Sequence, residues 1–406
     1  MISRKRILIF IDWFVPGYKA GGPISSNANL IDHLSEKFEF YVITRNTDYM
    51  ESKPYTQVVS NQWNTINNGA KVYYISADRL TFRTLISVAR QVSFDAVFVN
   101  GIYSLYFSLF PVIWFGKFRS NKVVVSARGM LSDHTFSAKR LKKKIFYFVA
   151  RIMNLYRGVI IHATNAEEER QIRKNLKFRG IIRIAPNLPL YNKNLVLTAL
   201  TKTSRELRLV SIARISPEKN TLFALEILEQ FVLHTVKNSE KEGYSIIFDL
   251  YGPVYQDDYG AQCMALAKRL PAQITVNFCG SIEKDSVSAV LQKYHFLFMP
   301  SQGENYGHSI VESFIAGRPV IISDRTPWRN LNSRFANEKS NIVNQKSIFV
   351  GWDIPLDEPG RFVEVVEYCT AMGQEEYDTI SNEAYQFGRQ ISTDKEVLEA
   401  NRRLFD

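Results

Sequence analysis

Two carboxylates, Glu304 and Glu312, stand eight residues apart in residues 300–324, PSQGENYGHSIVESFIAGRPVIISD, on either side of a Tyr306-Gly307 step. Apolar residues 296–299 have the length of a buried strand and residues 303–308 are turn-like. Residues 309–316 carry helical apolar spacing through Ile310, Val311, Phe314 and Ile315 before Gly317 and Pro319 stop it. Glu304 is therefore expected in a loop and Glu312 about one turn inside a helix. The backbone N–H groups of Asn305, Tyr306, Gly307 and His308 would open from that helix start, whose partial positive charge favours oxyanions. Carboxylates accept hydrogen bonds from hydroxyls, so the unit suits a ligand that is both polyhydroxylated and phosphorylated. The same spacing is equally compatible with glutamates on a solvated helix of any α/β protein.

Strands are expected at residues 6–11, 40–44, 72–75, 96–99, 123–126, 159–163 and 181–184. A second series follows at 207–213, 245–251, 274–279, 296–299 and 319–323, with amphipathic helical patterns between most of them. This alternation is the pattern of parallel sheets covered on both faces, which bind ligands beyond the carboxyl ends of their strands. After the first strand the chain reads Lys19-Ala20-Gly21-Gly22-Pro23. Two glycines at a helix start let backbone approach a phosphate closely, although a simple tight turn reads the same way. After the eighth strand, Arg214 offers a planar fork and Lys219, expected to begin the next helix, a point charge. The pair suits a diphosphate. The alternative is a surface Arg beside a turn capped by Ser216.

A chain of 406 residues exceeds one ordinary core. The organisation expected is a first domain over 1–190, a linker over 191–206 that follows Pro186 and Pro189 and holds several Asn, Thr and Lys residues, and a second domain over 207–385. A C-terminal helix over 386–406 is expected to pack back on the first domain. Residues 1–200 hold 29 Lys and Arg against 12 Asp and Glu, a net +17, whereas residues 201–406 hold 22 against 28, a net −6. The positive field therefore belongs to one half, and anionic lipid, nucleic acid, a phosphorylated acceptor or plain solubility would each account for it. Cys263, Cys279 and Cys369 lie far apart without a Cys-x-x-Cys pair, which suits reduced, buried thiols in the cytosol and neither a disulfide framework nor a zinc site. Apolar runs at 7–11 and 105–115 are too short for an export signal or a membrane span.

Gly21-Gly22, Arg214 with Lys219, the stretch 278–282 and Glu304 with Glu312 together resemble, in order and relative spacing, the retaining nucleotide-sugar glycosyltransferases of family 4. The resemblance runs from the first strand to about residue 326 and is most specific in the second half. It implies the GT-B fold, two Rossmann-like α/β domains with parallel sheets facing across a donor-binding cleft. It further implies that Glu304 contacts hydroxyls of the transferred sugar, Glu312 holds the nucleotide ribose, and Arg214 and Lys219 grip the diphosphate. Gly21-Gly22 would close over that diphosphate, and backbone at Gly280, Ser281 and Ile282 would face the base. Family members commonly carry Phe-Gly where this chain has Tyr306-Gly307, so an aromatic is retained.

The first half departs further. Many relatives carry a His after the fifth strand of the first domain, where this chain reads Ser126-Ala127-Arg128-Gly129-Met130, resembling a subgroup tied to bacterial surface-polysaccharide assembly. Arg128 cannot be a general base near neutral pH. Arg128 and His134 are the acceptor-side candidates. Residues 139–157 align Leu141, Ile145, Val149, Ile152 and Tyr156 on one stripe flanked by basic residues, suited either to anionic lipid or to packing on the sheet.

The function expected is transfer of a sugar, with retention, from a nucleotide diphosphate sugar to a hydroxyl of a lipid-linked glycan in surface-polysaccharide synthesis. The setting expected is cytoplasmic, at the inner membrane face, with no metal, no cofactor and no nucleic acid. Two rivals remain open. A nucleotide-sugar epimerase on the same fold would need acid/base groups that the sequence does not display. A non-catalytic basic membrane- or nucleic-acid-binding protein would leave the chemistry of the acidic half without a purpose.

Overall fold

A computed structural model describes residues 4–118, 122–131, 140–190, 196–237, 243–332 and 349–406. The chain divides into two compact units, Met1–Tyr191 with Asp394–Asp406, and Asn192–Thr393.

Unit 1 is built on strands β1 (Lys5–Phe10), β2 (Phe38–Arg45), β3 (Trp63–Thr65), β4 (Lys71–Ile75), β5 (Ala96–Asn100), β6 (Lys122–Ser126), β7 (Ile160–Ala163) and β8 (Ile182–Ile184). They order as β3-β4-β2-β1-β5-β6-β7-β8, parallel except for β3 at one edge. In the central strand Leu8 and Phe10 face one core and Ile7 and Ile9 the other, all without exposure. An unbroken apolar run is what a strand covered on both faces requires. Helices α1 (Gly22–Leu34), α2 (Phe82–Ala89), α3 (Arg140–Ile152) and α4 (Ala166–Leu176) join these strands, with two π-helical segments, Leu105–Leu109 and Val112–Phe118, between β5 and β6. The start of α4 shows how local chemistry sets an element boundary. Asn165 accepts a hydrogen bond from the Glu168 N–H, three glutamates fill the first turn, and Arg173 and Lys174 occupy the last.

Unit 2 holds β9 (Glu206–Ile212), β10 (Ser245–Tyr251), β11 (Ile274–Gly280), β12 (Phe296–Met299), β13 (Val320–Ser323) and β14 (Gly351–Ile354), all parallel in the order β11-β10-β9-β12-β13-β14. Its helices are α5 (Thr221–Lys237), α6 (Asp257–Ala267), α7 (Val287–Leu291), α8 (His308–Ile315), α9 (Pro359–Ala371) and α10 (Gln374–Ser392). The chain then returns to unit 1 as α11 (Lys395–Arg402), anchoring Leu404 and Phe405 in the core beside Phe38, Phe40 and Phe98. The return starts at Asp394 rather than at 386, because α10 continues to Ser392 with Tyr377, Ile380 and Ala384 buried in unit 2.

All twelve expected strands are present, and β3 and β14 are additional. Three expectations are corrected. The supposed linker is packed on unit 2 from residue 196 onward: buried Arg318 donates to the Thr198 carbonyl at 2.7 Å, and buried Lys202 donates to the Met372 carbonyl at 2.9 Å. Cys279 is exposed at the end of an edge strand, whereas Cys263 and Cys369 are buried. The single stripe expected on α3 splits, since Tyr156 is buried while Ile145, Val149 and Ile152 are exposed. The side chain of Leu141 lies outside the described residues. No described helix is long and apolar enough to cross a membrane.

Candidate active site

The loops after β9, β10, β11 and β12 in unit 2 converge through backbone hydrogen bonds. Gly252 N–H donates to the Gly280 carbonyl at 2.7 Å, Ala213 N–H to Tyr251 at 2.9 Å and Ile215 N–H to Pro253 at 3.0 Å. Gly252 was missed in the sequence. Its φ is +157°, and a Cβ there would lie 1.9 Å from the Ala213 carbonyl oxygen, so only glycine lets the β10 loop lie against the residue before Arg214. The signal was available as Tyr251-Gly252-Pro253 directly after a strand.

Lys219 lies in the turn between Ser216 and Asn220, two residues before α5 rather than at its first position, because Asn220, with φ +59°, supplies the carbonyl that opens the helix. From that turn the Lys219 ammonium donates to Glu304 Oε1 at 2.5 Å, with the two side chains 19% and 9% exposed. Ser301 Oγ donates to the same oxygen at 2.9 Å. Ser301 is held in turn by Ser323 Oγ, which donates to its carbonyl at 2.5 Å. The Gln302 N–H donates to the Glu218 carbonyl at 2.9 Å, binding the two loops together. Ser301 is the second residue missed, although a Ser directly past a strand was the clue. Arg214 is exposed, and no described residue accepts a hydrogen bond from it. The Ser216 side-chain cap of the alternative reading is absent among the described residues: its buried Oγ has no partner there, and its backbone carbonyl carries the turn.

Helix α8 opens at Gly307, with φ +76° and no side-chain cap, and the Gly307 carbonyl accepts from the Ile310 and Val311 N–H groups at 3.0 and 3.2 Å. Ser309 Oγ donates to the Ile212 carbonyl at 2.8 Å, fixing this helix start against the end of β9. The Tyr306 ring packs edge-on to His308 and to Trp328, whose indole donates to the Tyr306 carbonyl at 2.6 Å. Burial pushes the Glu312 carboxyl up to about 7, and Lys284, two residues past Ile282, pulls the other way. No described residue donates a hydrogen bond to that carboxyl. Gly280, with φ +71°, Ser281 and Ile282 form the turn leading to Lys284. Thus Arg214, Lys219, Glu304, the 305–308 loop, Glu312 and the 280–282 turn all lie at the carboxyl ends of the unit 2 strands.

The unit 1 candidates are placed differently. Gly21, with φ +74°, is the uncapped N-cap of α1, Gly22 is its first residue and Pro23 follows. Lys19 is paired with Glu51. Arg128 follows β6 with φ +52°. Its Nε donates to Asn100 Oδ1 at 3.0 Å, its Nη1 donates to Asn187 Oδ1, and Asn27 Nδ2 from α1 also donates to Asn100 Oδ1 at 2.8 Å. Burial lowers Arg128 to about 10, with Glu168 opposing, so it stays charged near neutrality. His134 lies outside the described residues. A different histidine, His162, is buried close by. It accepts from Ser126 Oγ at 2.9 Å and donates to the Ala185 carbonyl at 2.7 Å, and burial lowers it to about 3, which excludes proton shuttling near pH 7. Among the described residues, no group of three or more His, Cys, Asp or Glu could hold a metal ion.

Residues 197–338 match the family model of the glycosyl transferases group 1. No curated protein sequence matches the chain. Among solved structures, sucrose-phosphate synthase from Thermosynechococcus elongatus superposes with a TM-score of 0.69 at 13% identity, covering 99% of this chain and 98% of that one. Anabaena HepE, solved with UDP and glucose, gives 0.69 at 14% identity, covering 98% of each chain. The chain has the GT-B fold. WaaG, a glycosyltransferase of lipopolysaccharide biosynthesis, shares it with a TM-score of 0.59 at 12% identity, covering 99% of this chain and 98% of that one. The group 1 match, spanning most of the loops that carry the site, and the GT-B fold together support a glycosyltransferase.

Proposed function

We propose that the protein is a retaining glycosyltransferase that moves a hexosyl group from a nucleotide diphosphate sugar to a hydroxyl of a lipid-linked glycan during cell-surface polysaccharide synthesis, working in the cytoplasm at the inner membrane face. The observation that carries this reading is the Lys219–Glu304 pair, with Arg214 in the same β9–α5 loop left without a partner among the described residues. Solved relatives hold UDP, as HepE does, and ADP, as a plant starch synthase does.

In this reading the diphosphate lies against Arg214, Lys219 and the positive end of the α8 dipole. As the glycosidic bond lengthens, charge grows on the leaving phosphate, and these groups are already oriented to receive it. Lys219 shares its charge between phosphate and Glu304, whose second oxygen positions a sugar hydroxyl. Glu312, without a donor among the described residues, accepts from ribose hydroxyls, and the 280–282 turn takes the base. The leaving phosphate takes the acceptor proton in a same-face displacement, so no covalent nucleophile is assigned and the chemistry uses no divalent cation.

The test incubates purified protein with a panel of UDP, GDP and ADP sugars. Slow release of nucleoside diphosphate from one donor, with an unchanged anomeric configuration in the product by NMR, is expected. Isomerised donor would replace this reading with an epimerase, and no turnover of any donor would reject both.

A further inference from the structure

We propose that unit 1 docks on an anionic phospholipid bilayer through the outer face of α3 and the basic pocket at its C-terminal end. Ile145, Phe148, Val149, Ile152 and Met153 are 56%, 62%, 44%, 65% and 56% exposed. Their spacing places all five on one stripe, the period of an amphipathic helix with its apolar face turned to solvent. The opposite side of the helix is satisfied separately, with Ala150 buried and Phe146 and Tyr147 packed against the unit 1 core. Lys117 donates to the Met153 carbonyl at 2.7 Å, which sets the neighbouring Phe118, 69% exposed, beside the end of the stripe. Single exposed apolar residues are ordinary, but a contiguous stripe marks an interaction surface.

Charge decides the occupant. The α3 sequence RLKKKIFYFVARI carries five basic residues and no acid. At its C-terminal end a cavity of about 460 Å³ is lined by Arg151, Arg157, Lys177 and Arg179 together with Leu155 and Phe178, again without a carboxylate. Arg157, Lys177 and Arg179 are exposed, and none pairs with an acid among the described residues. Arg151 donates to the Asn175 carbonyl at the end of α4, from Nε at 3.1 Å and from Nη2 at 2.5 Å, so it too keeps an uncompensated charge. A second copy of the chain would bring like charges together, and a nucleic acid would leave the apolar stripe wet. An anionic bilayer accepts both: apolar side chains sink below the headgroups while the cations meet lipid phosphates.

The proposal deepens the reading of a lipid-linked acceptor, but it is measured without donor or acceptor. Co-sedimentation with phosphatidylcholine vesicles, with and without phosphatidylglycerol, should show strong binding only to the anionic ones. Replacing Arg157, Lys177 and Arg179 together with Gln should weaken that binding by roughly a hundredfold at low salt. Phe148→Ser with Ile152→Ser should weaken it about tenfold or more at every salt concentration, since apolar burial is not screened. Both variants should keep wild-type thermal midpoints and nucleoside diphosphate affinity, because the substituted groups are exposed. Wild-type protein that stays in the supernatant, variants that bind like wild type, or a dimer abolished by Phe148→Ser with Ile152→Ser would each overturn the docking surface. Vesicle binding that persists in a protein turning over no donor would remove the transferase reading and leave this one standing.

Discussion

Arg128 and Arg214 occupy comparable positions, each just past the carboxyl end of a strand in a doubly wound sheet, yet their surroundings differ in kind. Arg128 is clasped by the amide oxygens of Asn100 and Asn187, with α1 joined to the same cluster through Asn27. Arg214 is exposed and unclaimed by any described residue. The acids follow the same division: Glu168 accepts from Thr164 and from the Gly129 N–H, whereas Glu312 has no donor among the described residues. The strand ends of unit 1 spend their hydrogen bonds on fixing geometry, while those of unit 2 leave capacity for a ligand. A charged residue after a strand is thus not functional by position alone, and its unspent hydrogen bonds are the better guide.

The largest effect that would sharpen the contrast is on turnover. Arg214→Ala and Lys219→Ala should each lower the rate of transfer by roughly a hundredfold or more, the scale for losing one preorganised group facing developing charge. Single-turnover kinetics on the folded variants checks this. Near-normal rates would break the contrast by showing that the free cation has no ligand to meet.

Next are the two carboxylates of the site. Glu312→Ala should weaken nucleoside diphosphate binding about tenfold to a hundredfold, the worth of about 1.5–3 kcal/mol for a hydrogen bond to a charged group. Glu304→Ala should leave that affinity nearly intact and reduce transfer, because its oxygens are committed to Lys219, Ser301 and a sugar. Calorimetric titration separates them, and equal affinity losses would dissolve the distinction.

Stability supplies the converse test. Arg128→Ala leaves the Asn187 amide oxygen, on a residue only 6% exposed, without its donor, which should cost about 1–3 kcal/mol. Arg214→Ala should change stability by no more than about 0.5 kcal/mol, as for an exposed side chain without partners. Urea denaturation of both variants decides the matter, and equal losses would mean that Arg214 is as structural as Arg128.

What could be read from the sequence follows the same physics. The strand β12, the turn and the helix α8 were legible within one residue because an apolar run, a Gly and helical periodicity all agree there, and Glu304 and Glu312 came with them. The short edge strands escaped: Trp63–Thr65 is only half-buried, and Gly351–Ile354 opens on a glycine, so neither shows an apolar run. The Lys219–Glu304 pair spans 85 residues and could not be read from spacing. Nor could the fate of α3, since periodicity reports an apolar face without saying whether core or solvent receives it.

A last test uses the pH dependence of Glu312. Its carboxyl stands near 7 in the folded protein against 4.5 for an ordinary glutamate. The folded state therefore holds the proton more tightly than the unfolded chain, and stability linked to this group is fully present below about pH 4.5 and lost as pH rises toward 7. Glu312→Gln stays neutral throughout, so its thermal midpoint should match wild type at pH 4.5 and exceed it at pH 8, with the gap opening between those values. Bound nucleotide should narrow the gap at pH 8, because ribose hydroxyls donate to the ionised carboxylate and return the hydrogen bonds that burial removed. A gap that stays constant from pH 4.5 to 8 would show that Glu312 is solvated after all, and would place it with the surface glutamates rather than with the unspent acceptors of the site.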